Sequence, residues 1–257
     1  MIVELFGPPG AGKTTFALAL GQRMRSDGYD VRVRSSARPG EEATAGHCCV
    51  AGPTGRWFDP ARRLVRPVRE VIAAISGSAE DVRRRERIDA LVSMIPPIGL
   101  IRSLRERQYL IRLSAAWGGA QGVGSVTVFD QGFVQWIALI LLFLPEMTKD
   151  RLAAALEAAP PSDLAIRINA PVAEIDRRLA QRSRAIGKIG GLFESNLGDS
   201  VDQTHATKRL FEGLARAGRR AVDVESADPG TLETSLELAC AEIRRIRGKG
   251  SSEVRRC

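Results

Sequence analysis

The residues with the clearest chemical meaning stand near the start of the chain, where Gly7-Pro-Pro-Gly-Ala-Gly-Lys13-Thr14 fits the pattern G-x-x-x-x-G-K-[ST] in full. In this pattern the backbone amides curl around an anion, lysine reaches the β- and γ-phosphates of a nucleotide, and the final hydroxyl coordinates Mg²⁺. Lys13 is therefore a candidate catalytic cation and Thr14 a candidate metal ligand. The predicted nucleotide-binding residues are Gly7, Pro8, Pro9, Gly10, Ala11, Gly12, Lys13, Thr14 and Thr15.

A second candidate is Asp130, which follows the apolar segment Val126-Thr-Val-Phe129. A carboxylate at the end of a neighbouring strand would lie beside the loop and hold Mg²⁺, usually through its water shell. Asp130 also precedes a predicted helix, so an N-cap is the alternative, and the two roles are compatible in part.

Arginines 178, 182 and 184 form the third candidate group. Arg178 and Arg182 are four residues apart, so they share one face of a helix, and a Gly-rich segment follows at 187–191. Guanidinium groups beside such a segment suit a lid that closes over transferring phosphates, which makes Arg178, Arg182 and Arg184 catalytic candidates. A solvated basic helix face is the alternative.

The elements that must position these residues alternate along the chain. Apolar patterns predict strands at 2–6, 29–34, 126–129, 164–168 and 220–225. They predict helices at 13–26, 133–144, 149–158, 171–183, 203–217 and 230–246, with interrupted helical patterns over 61–117. Residues 35–60 and 185–202 are predicted loops. This alternation predicts an α/β fold, with helices on both faces of a parallel sheet.

The composition excludes several classes of protein. The 257 residues are 44% hydrophobic and 26% charged, which is typical of globular domains and excludes wholesale disorder. Four cysteines make no disulfide framework, and His47, Cys48 and Cys49 lack a second pair of metal ligands. The longest apolar run, Trp136–Leu144, is about half of the ~20 residues that span a bilayer. With no signal-peptide pattern at the start, the expected location is cytoplasmic.

The net charge of +8 leaves alternatives open. An excess of arginine fits a phosphate-rich ligand, nucleic acid, an anionic membrane surface or simply a solvated surface. A regulatory or nucleic-acid-associated NTPase is thus a second hypothesis, although no basic motif with interleaved aromatics supports nucleic-acid binding. The apolar helix 133–144 is either core or the seam of a homodimer.

Three longer segments resemble one known family. The first segment is a predicted helix that contains Arg107-Gln-Tyr-Leu-Ile and is followed by the strand end Val126–Asp130. It is similar to a helix of that family that carries an acceptor-binding arginine and is followed by a strand ending in Asp-Arg-Tyr. Pro161–Pro171 with the arginine helix resembles the strand and helix that enter a lid, and Ala221–Ser226 resembles a last strand whose following loop borders adenine. With the Gly-rich loop, these features resemble the P-loop nucleoside and nucleotide kinases, most of all the thymidylate kinase branch.

The resemblance implies a fold and a domain layout. The fold would be a three-layer α/β sandwich of the P-loop kinase kind, with a five-stranded parallel sheet in the order 2-3-1-4-5 and a helical insertion. The kinase domain would cover 1–247, with an acceptor-side insertion at 45–117 and a lid at 184–202, followed by a flexible basic tail at 248–257. The donor would be ATP with Mg²⁺.

The sequence departs from that family on the acceptor side. The Asp-Arg pair is Asp130-Gln131 here, and the Arg-Glu-Pro-Gly loop after the second strand is Ala37-Arg38-Pro39-Gly40. Arg38, Arg107 and Gln131 are the candidate acceptor-binding residues, while Glu41 and Glu42 are candidate general bases. We therefore expect an ATP-dependent small-molecule kinase whose acceptor is nucleotide-like or another small metabolite.

Overall fold

The computed structural model describes residues 1–35, 38–42, 79–94, 100–122, 124–186 and 199–254. Its strands are β1 (Ile2–Phe6), β2 (Val31–Ser35), β3 (Arg38–Glu42), β4 (Val126–Phe129), β5 (Leu164–Asn169) and β6 (Ala221–Glu225). Its helices are α1 (Lys13–Ser26), α2 (Ala79–Ser93), α3 (Leu100–Ala120), α4 (Phe133–Phe143), α5 (Lys149–Ala158), α6 (Val172–Ile186), α7 (Ser200–Arg216) and α8 (Pro229–Val254).

The described strands form one sheet in the order β3-β2-β4-β1-β5-β6. Strands β2, β4, β1, β5 and β6 are all parallel, and in chain order they read 2-3-1-4-5, which confirms the predicted topology. The sequence did not predict β3, a sixth strand that pairs antiparallel with β2 at the edge. Its sequence, Arg-Pro-Gly-Glu-Glu, contains the residue types that usually mark a loop.

The helices cover both faces of the sheet and bury a core on each. Successive residues of a strand point to opposite faces. Val3 and Leu5 of β1 therefore pack into the core under α1 and α8, while Ile2 and Phe6 pack into the core under α3, α4, α5 and α7. The three layers predicted from the sequence are thus present. Glu4 lies between Ile2 and Phe6 on the second face and is fully buried.

Three helix boundaries differ from the sequence prediction by three residues or more. Helix α7 begins at Ser200 rather than 203, because the Asp199 carboxylate accepts from the Val201 amide and caps the helix. Helix α6 continues to Ile186, and α8 continues to Val254, so most of the predicted tail is helical. The predicted insertion contributes α2 and α3, while residues 43–78, with His47, Cys48 and Cys49, and residues 187–198 lie outside the described residues.

The burial of helix α4 bears on whether residues 133–144 form part of the core or the seam of a homodimer. Phe133–Ala138, Ile140 and Leu141 are buried within the chain, which favours the core alternative over a dimer seam. None of the described helices is long and apolar enough to cross a membrane.

Candidate active site

The Gly-rich loop connects the end of β1 to the start of α1. All five residues of β1 are buried, so the strand fixes where the loop begins. Gly12 caps α1 with φ 95°, in the left-handed region that a residue with a side chain adopts only with strain. The first amides of α1 therefore face the loop, where their partial positive charge favours a phosphate.

Lys13 is the first residue of α1 and is only 7% exposed. Its Nζ donates to the carbonyl oxygens of Gly7 at 2.8 Å and Pro8 at 3.0 Å. The ammonium group is thus held against the backbone of the loop.

Thr14 in the first turn of α1 and Asp130 at the end of β4 lie side by side. The Thr14 hydroxyl donates to Asp130 Oδ2 at 3.0 Å, and Asp130 is 1% exposed at the end of β4. A hydroxyl and a carboxylate are hard oxygen ligands of the kind that Mg²⁺ takes from a protein while it keeps waters and phosphate oxygens. The donor set therefore fits the predicted metal. Among the described residues there is no larger cluster of His, Cys, Asp and Glu that could hold a metal ion.

The alternative prediction for Asp130 was that it caps the following helix, but other residues lie at the start of that helix. Gly132 occupies the N-cap position of α4, and Glu4 Oε2 of β1 accepts from the Val134 amide at 3.0 Å. A Cβ at Gly132 would overlap the Glu4 carboxylate, so a side chain at this position would displace that carboxylate. Burial raises the pKa of Glu4 to about 7, against the opposing effect of the Val134 amide.

Arg178 joins three parts of the site. Its guanidinium donates to the carbonyl oxygens of Gly10 (3.3 Å), Ser226 (2.8 Å) and Ala227 (2.8 Å), and to Glu174 of its own helix at 2.6 Å. The segment after β6 is thereby fixed to the Gly-rich loop. These contacts are of the kind that position neighbouring segments, and the catalytic role of Arg178 at a lid stays a prediction.

Of the other two predicted lid arginines, the structure describes the side chain of Arg184 alone. Arg184 is exposed in the last turn of α6. The side chain of Arg182 is not among those that the structure describes. A lid at 184–202 stays a prediction.

A cavity of about 370 Å³ lies between α3 and α4. Helix α4 contributes Gln135 and Trp136, and Gln131 stands immediately after Asp130. Helix α3 presents one face to the cavity, since residues three, four and seven apart lie on the same side of a helix. That face carries Arg105, Gln108, Tyr109 and Arg112.

Gln135 connects this cavity to the Gly-rich loop. Its Oε1 accepts from the Gly7 amide at 2.9 Å, and the side chain is 5% exposed. Tyr109, on the facing wall, has a pKa raised first by burial and then by the negative charges of Asp130 and Glu106. The Tyr109 hydroxyl therefore stays protonated and available as a hydrogen-bond donor.

The predicted acceptor residues are brought together only in part. Gln131 lines the cavity. Arg107 projects from another face of α3 and forms an ion pair with Asp89 of α2 at 2.7 Å, so Arg105 and Arg112 are the arginines at the cavity. Arg38 belongs to β3, and its side chain is not among those described.

Several residues of the site were not predicted, although the sequence contains a signal for some of them. Gln135 is the single polar side chain within Phe133–Phe143, and Glu4 is the single charge within Ile2–Phe6. A polar residue in an otherwise buried segment needs a hydrogen-bond partner, which marks both as functional candidates. Ser226, which packs beside Gly12, has no such signal.

No family model matches the chain, and no curated protein matches it. Solved structures similar to the chain include a deoxyadenosine kinase from M. mycoides with bound dCTP, at 12% identity and TM-score 0.42. The same kinase with products dCMP and a flexible dCDP gives 12% and 0.46, and with dATP 13% and 0.45. Each comparison covers 95% of this chain and 100% of the other. At this level of identity, the activity of those enzymes does not transfer to this chain.

Proposed function

We propose that the protein is an ATP-dependent phosphotransferase that moves the γ-phosphoryl group of Mg-ATP to a small acceptor. One observation carries the proposal: the 3.0 Å contact between Thr14 and Asp130, beside the buried Lys13 at the start of α1. A hydroxyl from the first turn of α1 and a carboxylate from the end of β4 meet where the Gly-rich loop would hold the β- and γ-phosphates.

Each part of the donor site has a distinct task in this proposal. The loop amides and the start of α1 bind phosphate oxygens. Lys13 follows the transferring group as a positive charge, and Arg178 keeps the segment after β6 in place for the base of the nucleotide. Magnesium, when bound, neutralises charge that develops on the phosphate oxygens, and Thr14 and Asp130 would hold it.

The cavity between α3 and α4 would take the acceptor. Its volume of about 370 Å³ lies at the lower end of the ~300–1,000 Å³ typical of small-molecule sites. Amides at Gln108, Gln131 and Gln135 suit the hydrogen-bonding edge of a heterocyclic base, and the rings of Tyr109 and Trp136 suit its faces. Arg105 and Arg112 suit a phosphate or hydroxyl group. A nucleoside or a nucleoside monophosphate is therefore the acceptor we place first.

The thymidylate kinase branch is the finer form of this proposal. The sequence resembles it over the donor side, whereas Gln131 takes the place of that family's arginine. An amide at this position cannot supply the charge that a guanidinium gives to an acceptor phosphate. The test should therefore compare thymidylate with the corresponding uncharged nucleoside as the acceptor.

The direct test is a screen for acceptor-dependent consumption of ATP, with product identified by mass. Nucleoside monophosphates come first, followed by nucleosides, sugars and other metabolites. We expect a phosphorylated product with the wild type and none above background with Lys13→Ala, whose thermal midpoint should stay close to that of the wild type. Wild-type transfer by the Lys13→Ala variant would overturn the site assignment. ATP hydrolysis without transfer to any acceptor would favour a regulatory NTPase.

A further inference from the structure

Two buried hydrogen bonds join the first turn of α4 to β1 and to the loop that follows β1. The Val134 amide donates to Glu4 Oε2 at 3.0 Å, and the Gly7 amide donates to Gln135 Oε1 at 2.9 Å. Val134 and Gln135 are consecutive in α4, while Glu4 and Gly7 belong to one short segment of the chain. The bond at Glu4 therefore restricts where Gln135 can meet Gly7.

Gly7 extends this connection to Lys13. Its carbonyl oxygen accepts from Lys13 Nζ at 2.8 Å, so the amide and the carbonyl group of Gly7 both form hydrogen bonds. A Cβ at Gly7 would overlap the carbonyl oxygen of Ile168, so the backbone of Gly7 lies directly against β5. A shift of the Gly7 backbone would consequently move a contact that holds the ammonium group.

A carboxyl group at position 4 needs a physical reason. Glu4 is 0% exposed and lies between Ile2 and Phe6, which pack into the core on the same face of the sheet. An apolar side chain would be buried there at lower cost, because a carboxyl group loses its hydration. Helix α4 supplies a reason, since its N-cap residue Gly132 has no side chain to accept from the first amides. Glu4 accepts from one of these amides from the neighbouring strand.

Arg219 provides an alternative reason for this carboxyl group. Burial raises the pKa of Glu4, and the nearby positive charge of Arg219 opposes that effect. Pairing with Arg219 would require the negative charge of Glu4, whereas the bond from Val134 requires only an oxygen acceptor. The substitution Glu4→Gln keeps an oxygen and removes the charge, so it separates the two explanations.

We propose that Glu4 is a positioning residue of the Gly-rich loop, which acts through the start of α4 on Gly7. Gln135 transmits the effect, and Lys13 receives it through the Gly7 carbonyl group. When position 4 offers no oxygen, the Val134 amide loses its acceptor and the first turn of α4 is held less tightly. Gln135 then meets Gly7 in only a fraction of the molecules, and the apparent affinity for a nucleotide falls in proportion to that fraction. This role rests on the proposed binding of Mg-ATP by the loop.

The test is titration calorimetry with Mg²⁺ and a non-hydrolysable analogue of ATP. Glu4→Met keeps the approximate length of the side chain and removes both oxygens, so it should weaken binding by about tenfold. Gln135→Met removes the acceptor of the Gly7 amide and should have a similar effect. The double variant should also lose about tenfold, and not the roughly hundredfold of two independent effects, because both substitutions release one contact. Glu4→Gln should stay within about twofold of the wild type.

Gly132→Ala breaks the same contact without changing Glu4, because a Cβ at this position would displace the Glu4 carboxylate. It should weaken binding by about tenfold, and it tests the role independently should Glu4→Met fail to fold. Gln22→Met, at an exposed position of α1, is the matched control and should leave the affinity unchanged. Thermal midpoints without nucleotide show which variants are folded at the temperature of the titration.

Three results would each overturn the positioning role. They are unchanged affinity in Glu4→Met and Gly132→Ala, additive losses in the double variant, and an equal loss with Glu4→Gln, which would favour pairing with Arg219. Each of them leaves the proposed function intact, because the wild type still binds the analogue. Absence of binding by the wild type would overturn the proposed function and, with it, the positioning role.

Discussion

At the scale of single residues, the site depends on side chains that serve more than one neighbour. Arg178 is the clearest case, since its guanidinium bonds to Gly10, Ser226, Ala227 and Glu174. The sequence could predict that Arg178 and Arg182 share a helix face. It could not predict which carbonyl groups the arginine meets, because these come from residues 168 and 48 positions away.

Replacing Arg178 by alanine should affect both stability and nucleotide binding. The loss of several hydrogen bonds at a partly buried position should cost about 2–3 kcal/mol in the free energy of unfolding. The KM for ATP should rise by roughly tenfold, because the segment after β6 is no longer fixed to the loop. Arg177→Ala is the control, since Arg177 is 57% exposed and contacts Glu174 alone among the described residues. Equal effects of the two variants would contradict the positioning role.

The contact between Thr14 and Asp130 makes a prediction about magnesium. Asp130→Asn keeps the size of the side chain and removes its charge. We expect activity to fall by roughly 10²-fold and to recover in part at high Mg²⁺ concentration, because the loss acts through metal affinity. Asp150→Asn, at an exposed position in the first turn of α5, is the control. Full activity of Asp130→Asn at low Mg²⁺ would remove Asp130 from the metal site.

At the scale of elements, the sequence predicted the five parallel strands well because each shows an apolar run or an alternating apolar pattern between turn residues. Strand β3 was missed because its pairing with β2 comes from the edge of the sheet and not from its own composition. The start of α4 shows the same limit. The Val134 amide in its first turn donates to Glu4, which is 130 positions away in the sequence. Local patterns contain no information on such long-range partners.

The buried Glu4 predicts a dependence of stability on pH. Below pH 4.5 its carboxyl is protonated in both folded and unfolded chains. Between 4.5 and about 7 the unfolded chain ionises first, so stability falls as the pH rises, by about 3 kcal/mol in total. Glu4→Gln keeps an oxygen for the Val134 amide and removes this ionisation. We expect the variant to be more stable than the wild type at pH 8 and similar near pH 4.5, in denaturant titrations at both pH values.

The control for Glu4→Gln is Glu146→Gln, which changes an exposed carboxyl just before α5. It should leave the pH dependence of unfolding unchanged. If Glu4→Gln shows the same slope as the wild type between pH 5 and 8, Glu4 does not retain its proton in the folded chain.

At the scale of the whole molecule, the charge of +8 acquires a structural explanation that composition could not provide. Several of the described arginines donate to backbone carbonyl oxygens, while others pair with carboxylates. Arg219 binds the end of α5 at Leu156 and Ala159, and Arg209 binds Pro145 and Met147 just before α5. Such contacts consume no acidic residue, so arginine can exceed the acids without forming a nucleic-acid surface. The excess of basic residues can be counted from the sequence. The carbonyl groups that the arginines contact could not be predicted, because they depend on how the loops fold.

Binding of Mg-ATP should stabilise the whole chain. A ligand at 100 times its Kd adds about 2.7 kcal/mol to the free energy of unfolding, which for a chain of this size is roughly 5 °C or more in the thermal midpoint. Scanning calorimetry should show this shift with the wild type and a much smaller one with Lys13→Ala. Mg²⁺ alone serves as the control for ionic effects. An equal shift in both proteins would place the nucleotide away from the Gly-rich loop.

The hydrogen bond between Gln135 and Gly7 has a consequence for redesign of the proposed kinase. The side-chain amide of Gln135 holds the first residue of the Gly-rich loop and also lines the neighbouring cavity. A substitution of Gln135 that changes the preference for an acceptor would therefore also disturb the loop that is proposed to bind ATP. Gln108 and Arg112 stand on a separate helix and line only the cavity. Libraries intended to change the acceptor while preserving the use of ATP should therefore vary α3 and keep Gln135 constant.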